Sequence, residues 1–283
     1  MKIKAYAKVN LALDIVGKRE DGYHLLRMIM QTVDIYDDII FKKGAPGIKI
    51  TSNKDFVPTD RRNLVYKAVE LFCNTYGIEP AVEVHIEKRI PVEAGMAGGS
   101  TDAAAALKAM RNLYRPELKD EELMELGVKI GADVPYCING GTALCEGIGE
   151  VITELESFED NIMVVVKPNF GVSTVDTYKN FHMEEVKKHP PVDKLIEAMK
   201  KKDVSYVAEN MGNLLELVTI KNHVEIKELK ESIMAMGAMG AMMSGSGPTV
   251  FAFFGDNEKA EKCAEKLKEK YSEVFVTRTV SPE

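Results

Sequence analysis

With 283 residues, 45% of them hydrophobic and 29% charged, the chain has the makeup of an ordinary folded protein, which excludes disordered and fibrous classes. A formal charge of -7 speaks against a nucleic-acid binder that tracks phosphates, because such surfaces are net basic. The length suits one large domain or two modest ones, each able to bury a core without metal or disulfide staples. Cys73, Cys137, Cys145 and Cys263 show no CxxC pairing and no zinc-site spacing, so they read as small buried apolar residues in a reducing compartment. The amino terminus lacks the apolar core of a signal peptide, and Ile233 to Met243 falls far short of the roughly 20 apolar residues that span a bilayer. A cytoplasmic protein without nucleic-acid or membrane partners, monomeric or homodimeric, is expected. The basic stretches Lys200 to Lys202 and Lys187 to His189 are expected on solvated helix ends.

From Ile3 to Ile15 every odd position is apolar, which predicts a strand packed on one face, with Lys4, Tyr6, Lys8, Asn10 and Asp14 sharing the other. A turn at Glu20-Asp21-Gly22 leads to a second extended segment over Leu25 to Ile40. Asn63 to Tyr76 carries Leu64, Ala68 and Phe72 at helical spacing, and Val82, Val84 and Ile86 alternate as a strand does. A helix from Asp102 to about Leu113, with Ser100 and Thr101 as N-cap candidates, stops before Pro116, and a further helix covers Asp120 to Ile130. Short strands and glycines follow between Gly140 and Phe158, with a domain boundary placed near residue 155. Beyond it, strands at Asn161 to Val166, Thr249 to Phe254 and Val274 to Arg278 alternate with helices at Thr174 to Phe181, Val192 to Lys201 and Glu225 to Met236. This mixture predicts an α+β sandwich in each half, residues 1–155 and 156–283. The methionines of Met234 to Met243 read as adaptable core packing.

The segment Pro91-Val92-Glu93-Ala94-Gly95-Met96-Ala97-Gly98-Gly99-Ser100-Thr101 is a strand exit, a glycine loop and a helix start in succession. Glycines let backbone N–H groups approach an anion, and a helix N-terminus adds partial positive charge and free donors. Ser100 and Thr101 add hydroxyls for phosphate oxygens or a magnesium ion. The loop is neither a Walker sequence nor a dinucleotide fingerprint, and a plain tight turn into a helix remains the alternative.

This loop resembles the P-x-x-x-G-L-G-S-S phosphate loop of the GHMP kinases, with Met96 in the leucine place and Gly98-Gly99 where serines are commoner. Ala7-Lys8-Val9-Asn10-Leu11 and a second glycine loop, Met243 to Pro248, agree with the same family. The Asp21-Gly22-Tyr23-His24 and Gly131-Ala132-Asp133-Val134-Pro135 pieces are similar to the branch that acts on a cytidine diphosphate-linked methylerythritol; a homoserine or mevalonate type is the alternative. The resemblance implies a ribosomal-protein-S5-like N-terminal domain, a ferredoxin-like C-terminal sandwich, and transfer of phosphate from ATP with Mg2+. It implies residues 91–101 and Asn63 on ATP, Asp133 as general base with Lys8 beside it, and Asn10, Tyr23, His24 and Tyr178 on the substrate. Taken alone, Asp133 and Asn63 read equally as N-caps, Lys8 as a solvent-facing strand lysine, and Tyr23 and His24 as surface turn residues. Ser244 to Gly247 lines the substrate's diphosphate end or simply turns the chain into its strand, and no acidic ligand for magnesium stands out.

Overall fold

The structure, a computed structural model, describes residues 1–281. Its elements run β1 (Lys2–Lys18), β2 (His24–Lys43), β3 (Gly47–Ser52), α1 (Leu64–Tyr76), β4 (Ala81–Glu87), α2 (Gly98–Tyr114), α3 (Asp120–Val128) and α4 (Val134–Asn139). They continue with β5 (Thr142–Gly147), β6 (Val151–Glu154), β7 (Ile162–Lys167), α5 (Thr174–Lys179), α6 (Val192–Lys200), α7 (Val204–Asn210) and β8 (Gly212–Asn213). The last are α8 (Glu216–Asn222), α9 (Val224–Ala235), β9 (Gly240–Met243), β10 (Val250–Phe253), α10 (Asn257–Lys268) and β11 (Glu273–Arg278). The described residues form two compact units: residues 1–7, 35–90 and 97–140 make the first, and residues 8–34, 91–96 and those from 141 onward the second.

In the first unit β4 pairs in parallel with β3 and antiparallel with the end of β2, from Asp38 opposite Glu87 to Lys43 opposite Val82. Helices α1 to α4 bury their apolar faces in one core with Phe41, Phe72, Ile86, Leu107 and Met110. Asn63 starts α1 by accepting from the Val65 N–H at 2.9 Å, and Gly77 ends it in the left-handed conformation that a Cβ would strain. In α2, Ala103 to Ala106 are all buried, as befits a helix enclosed on every side at that level, and their small side chains let its neighbours approach closely.

In the second unit an antiparallel sheet runs β11-β7-β10-β9. The unbroken buried run Met163 to Val166 suits a central strand covered on both faces. The first half of β2 pairs with β5, β5 pairs with β6, and β8 joins β1 in parallel, with Ala12 and Leu13 opposite Gly212 and Asn213.

Several expectations change. The even positions of β1 are not a solvent face: Lys8 is 4% exposed and Asn10 1%, and Asp14 is buried, so both faces are enclosed from residue 7 to residue 15. Within this unit the Met28 sulfur lies against the Asn10 side chain and His189 sits over Asp14. Helix α2 begins at Gly98, four residues before its expected start, because Ala97 adopts a left-handed φ of 58° that turns the chain into the helix early. Ser100 and Thr101 therefore lie in its first turn and cap nothing. Lys200 to Lys202 do close a helix in solvent, but Lys187 to His189 lie in the irregular stretch before α6, where His189 is tied to Asp14. Of the methionine run only Met242 and Met243 are core, while Met234 is exposed beyond the inward face of α9.

Among the elements not expected, α10 has a readable pattern, Ala260, Cys263, Ala264 and Leu267 on one face behind an Asp256 cap. Short α7, α8 and β9 offer too few residues for a period. Cys73, Cys145 and Cys263 are buried and Cys137 half-buried, and none of them is in a disulfide.

Phe72 is fully enclosed at the heart of the first unit's core. Phe72→Ala should cost about 3–5 kcal/mol in urea unfolding, whereas Phe56→Ala, at a 66% exposed position, should cost under about 0.5 kcal/mol.

Candidate active site

The phosphate-loop residues are distributed by the fold. Pro91 to Met96 belong to the second unit, and Ala97 to Thr101 to the first. In the first unit, the first turn of α2 carries Gly98, Gly99, Ser100 and Thr101, and the left-handed Ala97 has no side chain closing it. That turn presents early N–H groups without a protein cap, as an anion site requires. A Cβ on Gly98 would lie 3.0 Å from the Lys88 Nζ and one on Gly99 3.4 Å from Leu64, so these glycines let the turn sit close on β4 and α1. The Gly131 turn lies beside the same helix start: a Cβ there would be 3.8 Å from the Ser100 Oγ. This brings the turn that holds Asp133 next to Ser100. Asp133 occupies the N-cap position of α4 yet makes no capping bond with its side chain, and Val134 is helical despite Pro135, which the first turn of a helix tolerates. Asn63 is an N-cap as well, its amide nitrogen donating to the Pro58 carbonyl at 2.6 Å.

In the second unit the two glycine loops meet. The Ser244 hydroxyl donates to the Gly95 carbonyl at 2.9 Å, and a Cβ on Gly95, whose φ is 70°, would fall 2.1 Å from the Ser244 carbonyl oxygen. Only glycine fits there. Asn213, which the sequence did not single out, holds the second loop: its amide donates to the carbonyls of Met243 and Gly245, both at 2.8 Å, and its oxygen accepts from the Leu215 N–H. On β1 the Lys8 ammonium donates to the Asn10 oxygen at 2.8 Å, and the Lys8 N–H donates to the Met96 carbonyl at 3.2 Å. Lys8, Asn10, Gly95 and Met96 of the first glycine loop and the Ser244 to Gly247 loop are thus one neighbourhood; a Cβ on Gly245 would be 3.6 Å from the Asn10 oxygen.

An aromatic cluster stands in the same unit. The His24 ring stacks on Tyr178 with centroids 5.6 Å apart, and Phe181 meets it edge-on at 5.8 Å. Burial, followed by the charge of Lys18, lowers the His24 pKa, which favours a neutral imidazole with one donor and one acceptor nitrogen. Tyr23 is 60% exposed on the turn before it.

A second polar cluster, in the first unit, was not visible in the sequence. The buried Lys88 ammonium donates to Asp37 at 2.6 Å and to Asp102 at 2.7 Å. The other Asp37 oxygen accepts the Arg89 and Ile90 N–H groups, and the other Asp102 oxygen is buried without a partner. Burial raises the Asp102 pKa to about 8; Lys88 opposes the shift and Asp37 adds to it. This carboxyl does not suit a magnesium ion, since the ammonium takes one oxygen and the other is buried. Among the described residues no three His, Cys, Asp or Glu side chains converge as a metal cage.

The sequence matches the model of the GHMP kinases N terminal domain over residues 63–141 and that of the GHMP kinases C terminal over residues 188–273. The chain belongs to the GHMP kinases. It is 58% identical, over 99% of its length and all of the relative's, to a 4-diphosphocytidyl-2-C-methyl-D-erythritol kinase of Clostridium beijerinckii. A crystal structure of a 4-(cytidine 5'-diphospho)-2C-methyl-D-erythritol kinase superposes over the full length of both chains with a TM-score of 0.86 and 30% identity. The homoserine kinase of Cytophaga hutchinsonii, at 19% identity and a TM-score of 0.77 over 99% of this chain and 95% of its own, shares the fold. No helix among the described residues is long and apolar enough to cross a membrane.

Asp102 holds its proton more tightly folded than unfolded, so the stabilisation from that proton is full below the ordinary carboxylate range and is lost as pH rises through about 8. Asp102→Asn cannot ionise. Its stability in urea should therefore fall less than the parent's between about pH 6 and about pH 9; equal slopes would contradict the buried, proton-holding carboxyl.

Proposed function

We propose that this chain transfers the γ-phosphate of ATP to the 2-hydroxyl of 4-diphosphocytidyl-2-C-methyl-D-erythritol, a step toward isoprenoid precursors. The observation that carries the substrate choice is the imidazole of His24 set between Tyr178 and Phe181. A cytosine ring offers a flat π-face and an edge of alternating donors and acceptors, which an aromatic platform and a neutral histidine can read together. Homoserine and mevalonate have no base to read, so a kinase for either needs no such cluster. The full-length identity with the Clostridium beijerinckii enzyme supports the same choice.

Phosphoryl transfer asks the protein for alignment, charge neutralisation and a proton acceptor. The first-turn N–H groups of α2, with the Ser100 and Thr101 hydroxyls, hold phosphate oxygens, and Asn63 lies at the adenine side. Asp133 takes the proton of the substrate hydroxyl as its oxygen bonds to the γ-phosphorus and ADP departs. Lys8, oriented by its bond to Asn10, supplies positive charge for the incoming phosphate. Tyr23 lies at the cytosine. The Ser100 and Thr101 hydroxyls would hold a magnesium ion that came with the nucleotide, and the ion would neutralise phosphate charge there; among the described residues no three His, Cys, Asp or Glu side chains form a cage for it. The matched family segments lie on either side of residue 155, which supports an N-terminal domain over 1–155 and a C-terminal one over 156–283. We place the enzyme in the cytoplasm.

Asp133→Asn should lower kcat about 10²- to 10⁴-fold with little change in the substrate KM, read by coupled ADP release. A wild-type rate in that variant would sink the assignment of the base. His24→Ala should raise the KM for the cytidylyl substrate about tenfold or more and leave that for ATP unchanged. An unchanged substrate KM would remove the cytosine reader and turn attention to a homoserine- or mevalonate-type substrate.

A further inference from the structure

The loop between β4 and α2 is tied at both ends to one side chain. Its entry is Lys88, Arg89 and Ile90, whose backbone N–H groups at 89 and 90 are both taken by the Asp37 Oδ1, at 2.5 and 2.8 Å. Its exit is the first turn of α2, and Asp102, just past that turn, reaches back to Lys88. The Lys88 Nζ bridges the two, 2.6 Å from Asp37 and 2.7 Å from Asp102, and lies directly under Gly98, where a Cβ would approach it to 3.0 Å. All of these residues lie within the first unit.

Stability alone does not explain this arrangement. A buried ion pair recovers at best its own desolvation, and apolar side chains of similar volume commonly stabilise as well or better. What a buried, hydrogen-bonded charge adds is a defined geometry, because its partners can be satisfied in only one arrangement. Here the geometry defined is the position of the α2 first turn relative to the strand that feeds the loop.

We propose that Lys88 is a positioning residue for nucleotide phosphate: bridging Asp37 and Asp102, it fixes the start of α2 so that the first-turn N–H groups meet the phosphates. Lys88 plays this part only if residues 97–101 hold nucleotide phosphate, as proposed above. It touches no reacting atom and acts through the helix start.

The test compares the parent chain with Lys88→Met and with a neutral triple variant, Lys88→Met, Asp37→Asn and Asp102→Asn, which leaves no unbalanced buried charge and so keeps a folded protein in hand. The probes are ATP and adenosine, titrated calorimetrically, with urea unfolding alongside. The folded variant should bind ATP about tenfold more weakly and adenosine within about twofold of the parent, since only the phosphates depend on the helix start. A purely structural role would weaken both alike, in step with lost stability, and would overturn the proposal. So would a folded triple variant with parental ATP affinity. A parent chain that binds adenosine and ATP equally would instead sink the phosphate role of residues 97–101, and the positioning role with it.

Discussion

Where Gly95 meets Ser244 there is no space for a side chain. The Ser244 carbonyl oxygen lies 2.1 Å from where a Cβ on Gly95 would stand, and Gly95 has a φ of 70°. Two loops about 150 residues apart in sequence are held backbone against backbone by this constraint and by the Ser244 to Gly95 hydrogen bond. The β9–β10 hairpin carries one loop, and Asn213 on β8 secures it by donating to two of its carbonyls. Because β8 pairs with β1, the strand that carries Lys8 and Asn10 is linked to the same loop. Each piece is a small local preference. Together they leave the backbone groups of both loops at a fixed place, which a phosphate chemistry built on positioning demands.

A minority of the polar residues lies inside. Lys8, Asn10, Asp37, Lys88 and Asp102 are all buried and bonded in pairs or chains, with one Asp102 oxygen left without a partner. Burying such groups is unfavourable unless they are hydrogen-bonded, so their presence marks work other than stability. The apolar cores supply the stability: Phe41, Phe72 and the alanines of α2 in one unit, and Met163 to Val166 with Phe251 and Phe253 in the other.

Much of this was legible from residues alone, for physical reasons that can be named. The alternation of Ile3 to Ile15 and the helical spacing of Leu64, Ala68 and Phe72 report one-sided burial, and both elements form where that pattern puts them. The start of α2 was misplaced because Gly98 and Gly99 are poor helix formers, while the left-handed Ala97 that launches the helix has no signature in its residue type. The second face of β1 was misread because alternation marks polarity, and polar residues that bind one another can lie inside. Lys88, Asp37 and Asp102 escaped notice since they sit 51 and 14 residues apart and converge only in the folded chain. Tyr178 was placed by likeness, and the structure sets its ring on His24, 154 residues away in sequence, a pairing no local pattern could report.

The most direct test of a cytidylyl-alcohol kinase is phosphorus NMR of the purified chain with ATP and magnesium, given in turn 4-diphosphocytidyl-2-C-methyl-D-erythritol, mevalonate and homoserine. A new phosphomonoester resonance that grows with ADP for the cytidylyl alcohol alone is the predicted result. Phosphorylation of mevalonate or homoserine at a comparable rate, or of none of the three, would contradict it.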